Sequence, residues 1–158
     1  MQFTTPIFLF FLWKKQNVSG HLILAMKVAT AITFVSHGLY ALNYYPRPGH
    51  FTQMVIDILG VSEVSAGQFL TGAGILDFAI AIGIFIPQKF GKTMLWIAVL
   101  WGFCTTMARI FGHFYLDMME DTLTMWTHEA MYRMPHFLIP LAILRRGVTA
   151  RSGKTSKK

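Results

Sequence analysis

The apolar runs at residues 22–42, 66–86, 93–115 and 126–144 constrain this chain most. Each approaches the roughly 20 residues that a helix needs to cross a bilayer. A backbone inside lipid must satisfy its own hydrogen bonds, so segments of this kind fold as helices. The expected fold is all-α: a polytopic membrane protein with four transmembrane helices in an antiparallel bundle, plus short interfacial helices. Composition agrees, since 13% of the 158 residues are charged and 54% are hydrophobic, whereas soluble domains carry about 25% charged residues. The same balance excludes disordered and collagen-like chains. The single cysteine, Cys104, excludes a disulfide framework, a CxxC redox pair and a Cys-rich zinc site. No metal is expected.

Charge placement gives an expected topology. Lys14, Lys15, the turn with Lys89 and Lys92, and the C-terminal Arg145, Arg146, Arg151, Lys154, Lys157 and Lys158 hold most of the 14 basic residues and no acid. By the positive-inside rule these parts face the cytoplasm. The other two connections carry Asp57, Glu63, Asp117, Glu120 and Asp121 against Arg47 alone, and face outward. The net charge of +7 is thereby explained by orientation rather than by a nucleic-acid partner. Three regions follow: an interfacial N-terminal segment at 1–19, the bundle at 20–145, and a flexible basic cytoplasmic tail at 146–158. The apolar run at 6–13 is too short to span and is followed, not preceded, by lysines, the reverse of a signal peptide.

The first outer connection has structure of its own. Tyr44-Tyr-Pro-Arg-Pro-Gly49 is a turn, because proline fixes φ and forbids helix while glycine permits reversal. Beyond it Phe51, Met54, Val55, Ile58 and Leu59 recur at helical spacing, opposite Thr52, Gln53 and Asp57. A short amphipathic helix lying as a lid over the bundle is expected, with Ser62 or Ser65 capping the next span.

Ionisable side chains within spans are costly, by about 2.5–3.5 kcal/mol each, and usually face the bundle interior. The candidates are His37, Asp77, Arg109, Glu129, Arg133 and His136. At 100° per residue, Glu129, Arg133, His136 and Pro140 share one stripe, as do Gly102, Thr106, Arg109 and His113. With a rise of about 1.5 Å per residue, His37, Arg109, Arg133 and His136 share a depth near the outer boundary. The other half of the bundle has no such group, so a cavity should open outward. Asp77 is expected to pair with Arg109 or Arg133, and Glu129 with Arg133. A structural ion-pair network is the plain alternative to a ligand site. His113 and His128 are expected to be solvated. Trp96, Trp101 and Trp126 are expected at the interface or facing lipid, and the small residues of 67–83 at a close helix contact. The methionines of 118–134 match no copper-ligand repeat.

The four-span layout, His37-Gly38, Gly72-x-Gly74-Ile-Leu-Asp77 and Tyr132-Arg133-x-Pro135-His136-x3-Pro140 resemble the DoxX-like family of small bacterial inner-membrane proteins, over about residues 22–144. That resemblance implies a helical bundle in the bacterial cytoplasmic membrane, multi-pass, with both termini cytoplasmic. Some members look like subunits of quinone-reducing complexes, such as the thiosulfate:quinone oxidoreductase; others are linked to oxidative stress, chaperoning or cargo reception. One expectation is a redox-associated subunit that binds a quinone, or less favourably a haem between His37 and His136. In it a histidine donates to a quinone carbonyl, an arginine stabilises the reduced anion, and Asp77 or Glu129 exchanges protons. No flavin, nicotinamide or iron–sulfur motif is present, so electrons would come from a redox partner protein. The other expectation is a non-enzymatic accessory, assembly or small-carrier protein, with the lipid bilayer and a second copy of itself as partners. A small-anion transporter is a third. No residue is assigned a catalytic role.

Overall fold

The computed structural model describes residues 5, 7, 8, 10, 20–114, 117 and 119–155. Among them the regular structure is helical: α1 (Gly20–Ala41), α2 (Gly49–Leu59), α3 (Glu63–Gly83), α4 (Gln88–Phe111), α5 (Met119–Arg133) and α6 (Pro135–Thr155). Most of the expected interfacial segment lies outside the described residues, although Phe8 packs into the core.

Three helices, α1, α3 and α4, are long and apolar enough to cross a membrane. Their ends fall close to the expected ones, and local chemistry sets them. Ser62 caps α3, its hydroxyl accepting from the Ser65 amide at 3.3 Å, and Glu63 follows at the positive end of the helix dipole. Gly60, at φ 63°, ends α2 and lets the chain turn into that cap. Pro87 begins α4.

The expected fourth span is not a single helix. The chain breaks at Met134, between α5 and α6. Pro135 has no amide hydrogen and its ring clashes with the carbonyl four residues earlier, while the residue before a proline is driven out of the helical region. Pro135 instead opens α6, where its fixed φ is favourable. The backbone of α6 continues to Thr155, through much of the stretch expected as a flexible tail.

Two close contacts organise the packing. α1 lies on α3, where a Cβ on Gly38 would stand 3.1 Å from Gly74 O and one on Gly74 would stand 3.1 Å from Gly38 O. Small residues thus let the two backbones approach, as expected for part of the 67–83 pattern; Gly72, by contrast, has open space around it. α4 lies on α6, with Gly102 against the first turn of α6. α6 also touches α1, and α3 touches α4. The half of the molecule away from α2 is filled by Met26, Ile80, Ile84, Leu95, Ala98, Ile139 and Ile143. The buried ionisable residues Asp77, Arg109 and His136 gather at the other end.

Candidate functional site

Helix α2 roofs a cavity of about 250 Å³. Its whole apolar stripe, Phe51, Met54, Val55, Ile58 and Leu59, faces in, because an amphipathic helix between two spans buries its apolar side against them. Thr33, His37, Ala73, Asp77, Trp101, Cys104, Arg109, Arg133 and His136 complete much of the wall. Five of the six candidate residues therefore meet in one cavity. Glu129 stands outside that wall and touches it through Arg109.

The pairing inside differs from the expected one. Asp77, 5% exposed, accepts from Trp101 Nε1 at 2.8 Å and pairs with neither arginine. Trp101 therefore does not face lipid; its indole donates to this carboxyl. Arg109, 3% exposed, pairs with Glu129 at 3.7 Å, and its guanidinium lies 5.4 Å from the Phe51 ring centre, a cation–π distance. Glu129 thus serves Arg109 across two helices rather than Arg133 along its own. Among the described residues Arg133 has no carboxylate within 4.0 Å, so its donors remain available to the cavity that it lines.

The helix break explains how His136 is held. In a continuous helix the Arg133 carbonyl would accept from the Phe137 amide, but that amide bonds Met134 O at 3.2 Å. The Arg133 carbonyl then accepts from His136 Nδ1 at 2.8 Å and lies 3.4 Å from Thr106 Oγ1. A carbonyl only accepts, so Nδ1 carries the proton and Nε2 is left as the acceptor nitrogen of the neutral ring. The ring of His37, on α1, meets that of His136, on α6, with centres 5.0 Å apart and 43° between planes. That contact leaves no room for an iron and a porphyrin plane between them, and a bis-histidine haem does not fit.

Next to Arg109, two residues expected to be solvated or lipid-facing meet each other. His113 stacks on Trp126 with ring centres 3.7 Å apart and 19° between planes, and its Nδ1 lies 3.2 Å from Arg109 O. This stack ties the end of α4 to α5. On α2, His50 titrates below its ordinary range, chiefly through desolvation and then through Arg109, with Glu129 acting in the opposite direction. Behind α2, the Arg47 guanidinium donates to Ala41 O, closing the turn after α1. No group of three or more His, Cys, Asp or Glu side chains converges as a metal site among the described residues.

Two local features of the sequence point to this arrangement. Pro135 directly before His136 marks a helix break that frees a carbonyl. Trp101 directly precedes Gly102, at the edge of the polar stripe of α4, where a buried carboxyl on the neighbouring span needs a donor.

Neither family models, nor curated proteins, nor solved structures match this chain.

Proposed function

We propose that this protein is a DoxX-like membrane protein of the bacterial cytoplasmic membrane, a redox-associated subunit that binds a quinone head group beneath α2. The observation that carries the reading is a largely apolar cavity with Arg133 lacking a carboxylate partner among the described residues and His136 keeping Nε2 free. A quinone ring needs apolar walls and a few polar groups for its carbonyl oxygens. A volume of about 250 Å³ lies below the roughly 300–1,000 Å³ of drug-sized sites and suits one ring, with an isoprenoid tail left in lipid. Arg133 donates to one carbonyl oxygen; the N–H of the neutral His37 ring, or a water that donates to the quinone while held by His136 Nε2, serves the other. A partner protein supplies the electrons.

In this reading α6 makes the fourth crossing together with the end of α5. The apolar stretch from Pro135 to Leu144 covers about 15 Å at 1.5 Å per residue, half of a hydrocarbon core of roughly 30 Å. The final turns of α5 supply the rest, and both termini face the cytoplasm.

The test is binding of a short-chain ubiquinone or menaquinone analogue by the purified full chain, followed by quenching of tryptophan fluorescence. Saturable binding that falls about tenfold or more in Arg133→Gln and in the His37→Ala, His136→Ala double variant is expected. Unchanged binding in folded variants overturns the reading. The alternative, an accessory protein with a structural polar core, is favoured by the Trp101–Asp77 bond and the Arg109–Glu129 pair. It predicts no saturable quinone binding, and loss of folded protein as the main effect of the same substitutions.

A further inference from the structure

A second cavity, of about 440 Å³, lies at the opposite end of the molecule from α2, between α1, the start of α4 and the middle of α6. Lys27 and Lys92 line it together with Ile23, Ile86, Leu95 and Ile143. Two cations therefore share one recess with aliphatic walls. The sequence contains no Asp or Glu at 1–56, 78–116 or 130–158, so α1, α4, α6 and the turn before α4 offer these lysines no carboxylate. Among the described residues neither makes an ion pair. Lys27 is half-buried and its charge is unmatched by those elements.

We propose that this recess is a binding site for an anionic phospholipid, with the head-group phosphate between Lys27 and Lys92 and an acyl chain along Ile23 and Ile143. The chemistry is that of basic pockets between spanning helices near a membrane surface, which recognise acidic head groups. Two lysines match a phosphate as compact point charges. The aliphatic wall distinguishes a lipid from a free anion, because inorganic phosphate gains nothing from Ile23, Leu95 and Ile143. The site is separate from the cavity under α2 and shares no residue with it.

Native mass spectrometry of the detergent-solubilised full chain tests this, with dioleoyl phosphatidylglycerol against dioleoyl phosphatidylcholine. Preferential retention of phosphatidylglycerol is expected, undisturbed by millimolar inorganic phosphate. Lys27→Gln and Lys92→Gln should each weaken it about fivefold, while Lys27→Arg and Lys92→Arg retain it. Lys89, exposed on the same turn and outside the recess, is the control, and Lys89→Gln should leave retention unchanged. Equal retention of both lipids, equal weakening by Lys89→Gln, or displacement by inorganic phosphate alone would each overturn the proposal. Should Lys27→Gln, at the half-buried side chain, not fold, Lys92→Gln alone, at an exposed side chain, carries the measurement.

Discussion

Trp101 is the residue on which the buried carboxyl of Asp77 depends. Its indole makes the 2.8 Å bond to that carboxyl, and a phenylalanine there keeps most of the apolar surface while removing the donor. Leaving a buried acceptor unsatisfied costs about 1–3 kcal/mol, whereas removing both partners can be nearly neutral. Trp101→Phe should therefore lower the thermal unfolding temperature in detergent, and Trp101→Phe combined with Asp77→Ala should cost less than the sum of the two singles. Strict additivity would show the bond to be energetically idle. His50 gives a second measurement at this scale. Its folded-state pKa lies below the ordinary value of about 6.5, so folding favours the neutral ring. The associated stability is present above about pH 6.5 and declines as pH falls through the folded-state value. An NMR titration should place the His50 midpoint below 6.5, and Glu129→Gln should lower it further, because Glu129 raises it. A midpoint that rises in Glu129→Gln would contradict the arrangement of charges around α2.

The contact between α4 and α6 turns on one missing methyl group. A Cβ on Gly102 would stand 2.9 Å from His136 O, with backbone rather than a flexible side chain opposite. Gly102→Ala should cost about 1–3 kcal/mol, the usual range for forcing an extra carbon into a packed site. Gly72→Ala, where nothing lies within 4 Å, should be neutral or stabilising by up to about 1 kcal/mol, because alanine is the better helix former. Unfolding curves recorded side by side compare them, and equal effects would remove the close approach as the explanation. Helices α1 to α4 were legible in the sequence because apolar length and the amphipathic period of Phe51, Met54, Val55, Ile58 and Leu59 are local properties. That His37, Arg109, Arg133 and His136 would come together was legible through shared depth and stripe, whereas Glu129, on the same stripe, stands outside the cavity wall. The pairing was not legible. Whether Asp77 meets a guanidinium or an indole depends on how α3 and α4 rotate against each other, and Glu129 meets Arg109 across helices while its i, i+4 neighbour was the nearer candidate on paper. The break at Met134 was encoded by Pro135, but an apolar run that continues through a proline reads as one span.

Orientation is a property of the whole chain, and the basic residues at one end make it measurable. Lys89 and Lys92 sit in the first turns of α4, and Arg145 follows the apolar part of α6. Acidic residues belong to the α2 end and to α5, where Glu120 and Asp121 occupy the first turn. In the proposed topology the Lys89 end of α4 and the basic C-terminal stretch share the cytoplasmic side, by the positive-inside rule. With the sole cysteine removed by Cys104→Ala, single substitutions Ser62→Cys and Lys89→Cys report the two sides of the membrane. A membrane-impermeant maleimide applied to intact cells should label Ser62→Cys and reach Lys89→Cys only after permeabilisation. A C-terminal tag then distinguishes three crossings from four. If α5 and α6 together complete a fourth crossing, the tag shares the protection of Lys89→Cys; if the chain crosses only through α1, α3 and α4, the tag is labelled from outside with Ser62→Cys. Protection of the tag would mean that a helix interrupted at Pro135 still crosses, with the break and its freed Arg133 carbonyl set in the membrane beside His37. Exposure of the tag would place α6 on the outer surface and remove the bilayer from one wall of the cavity under α2.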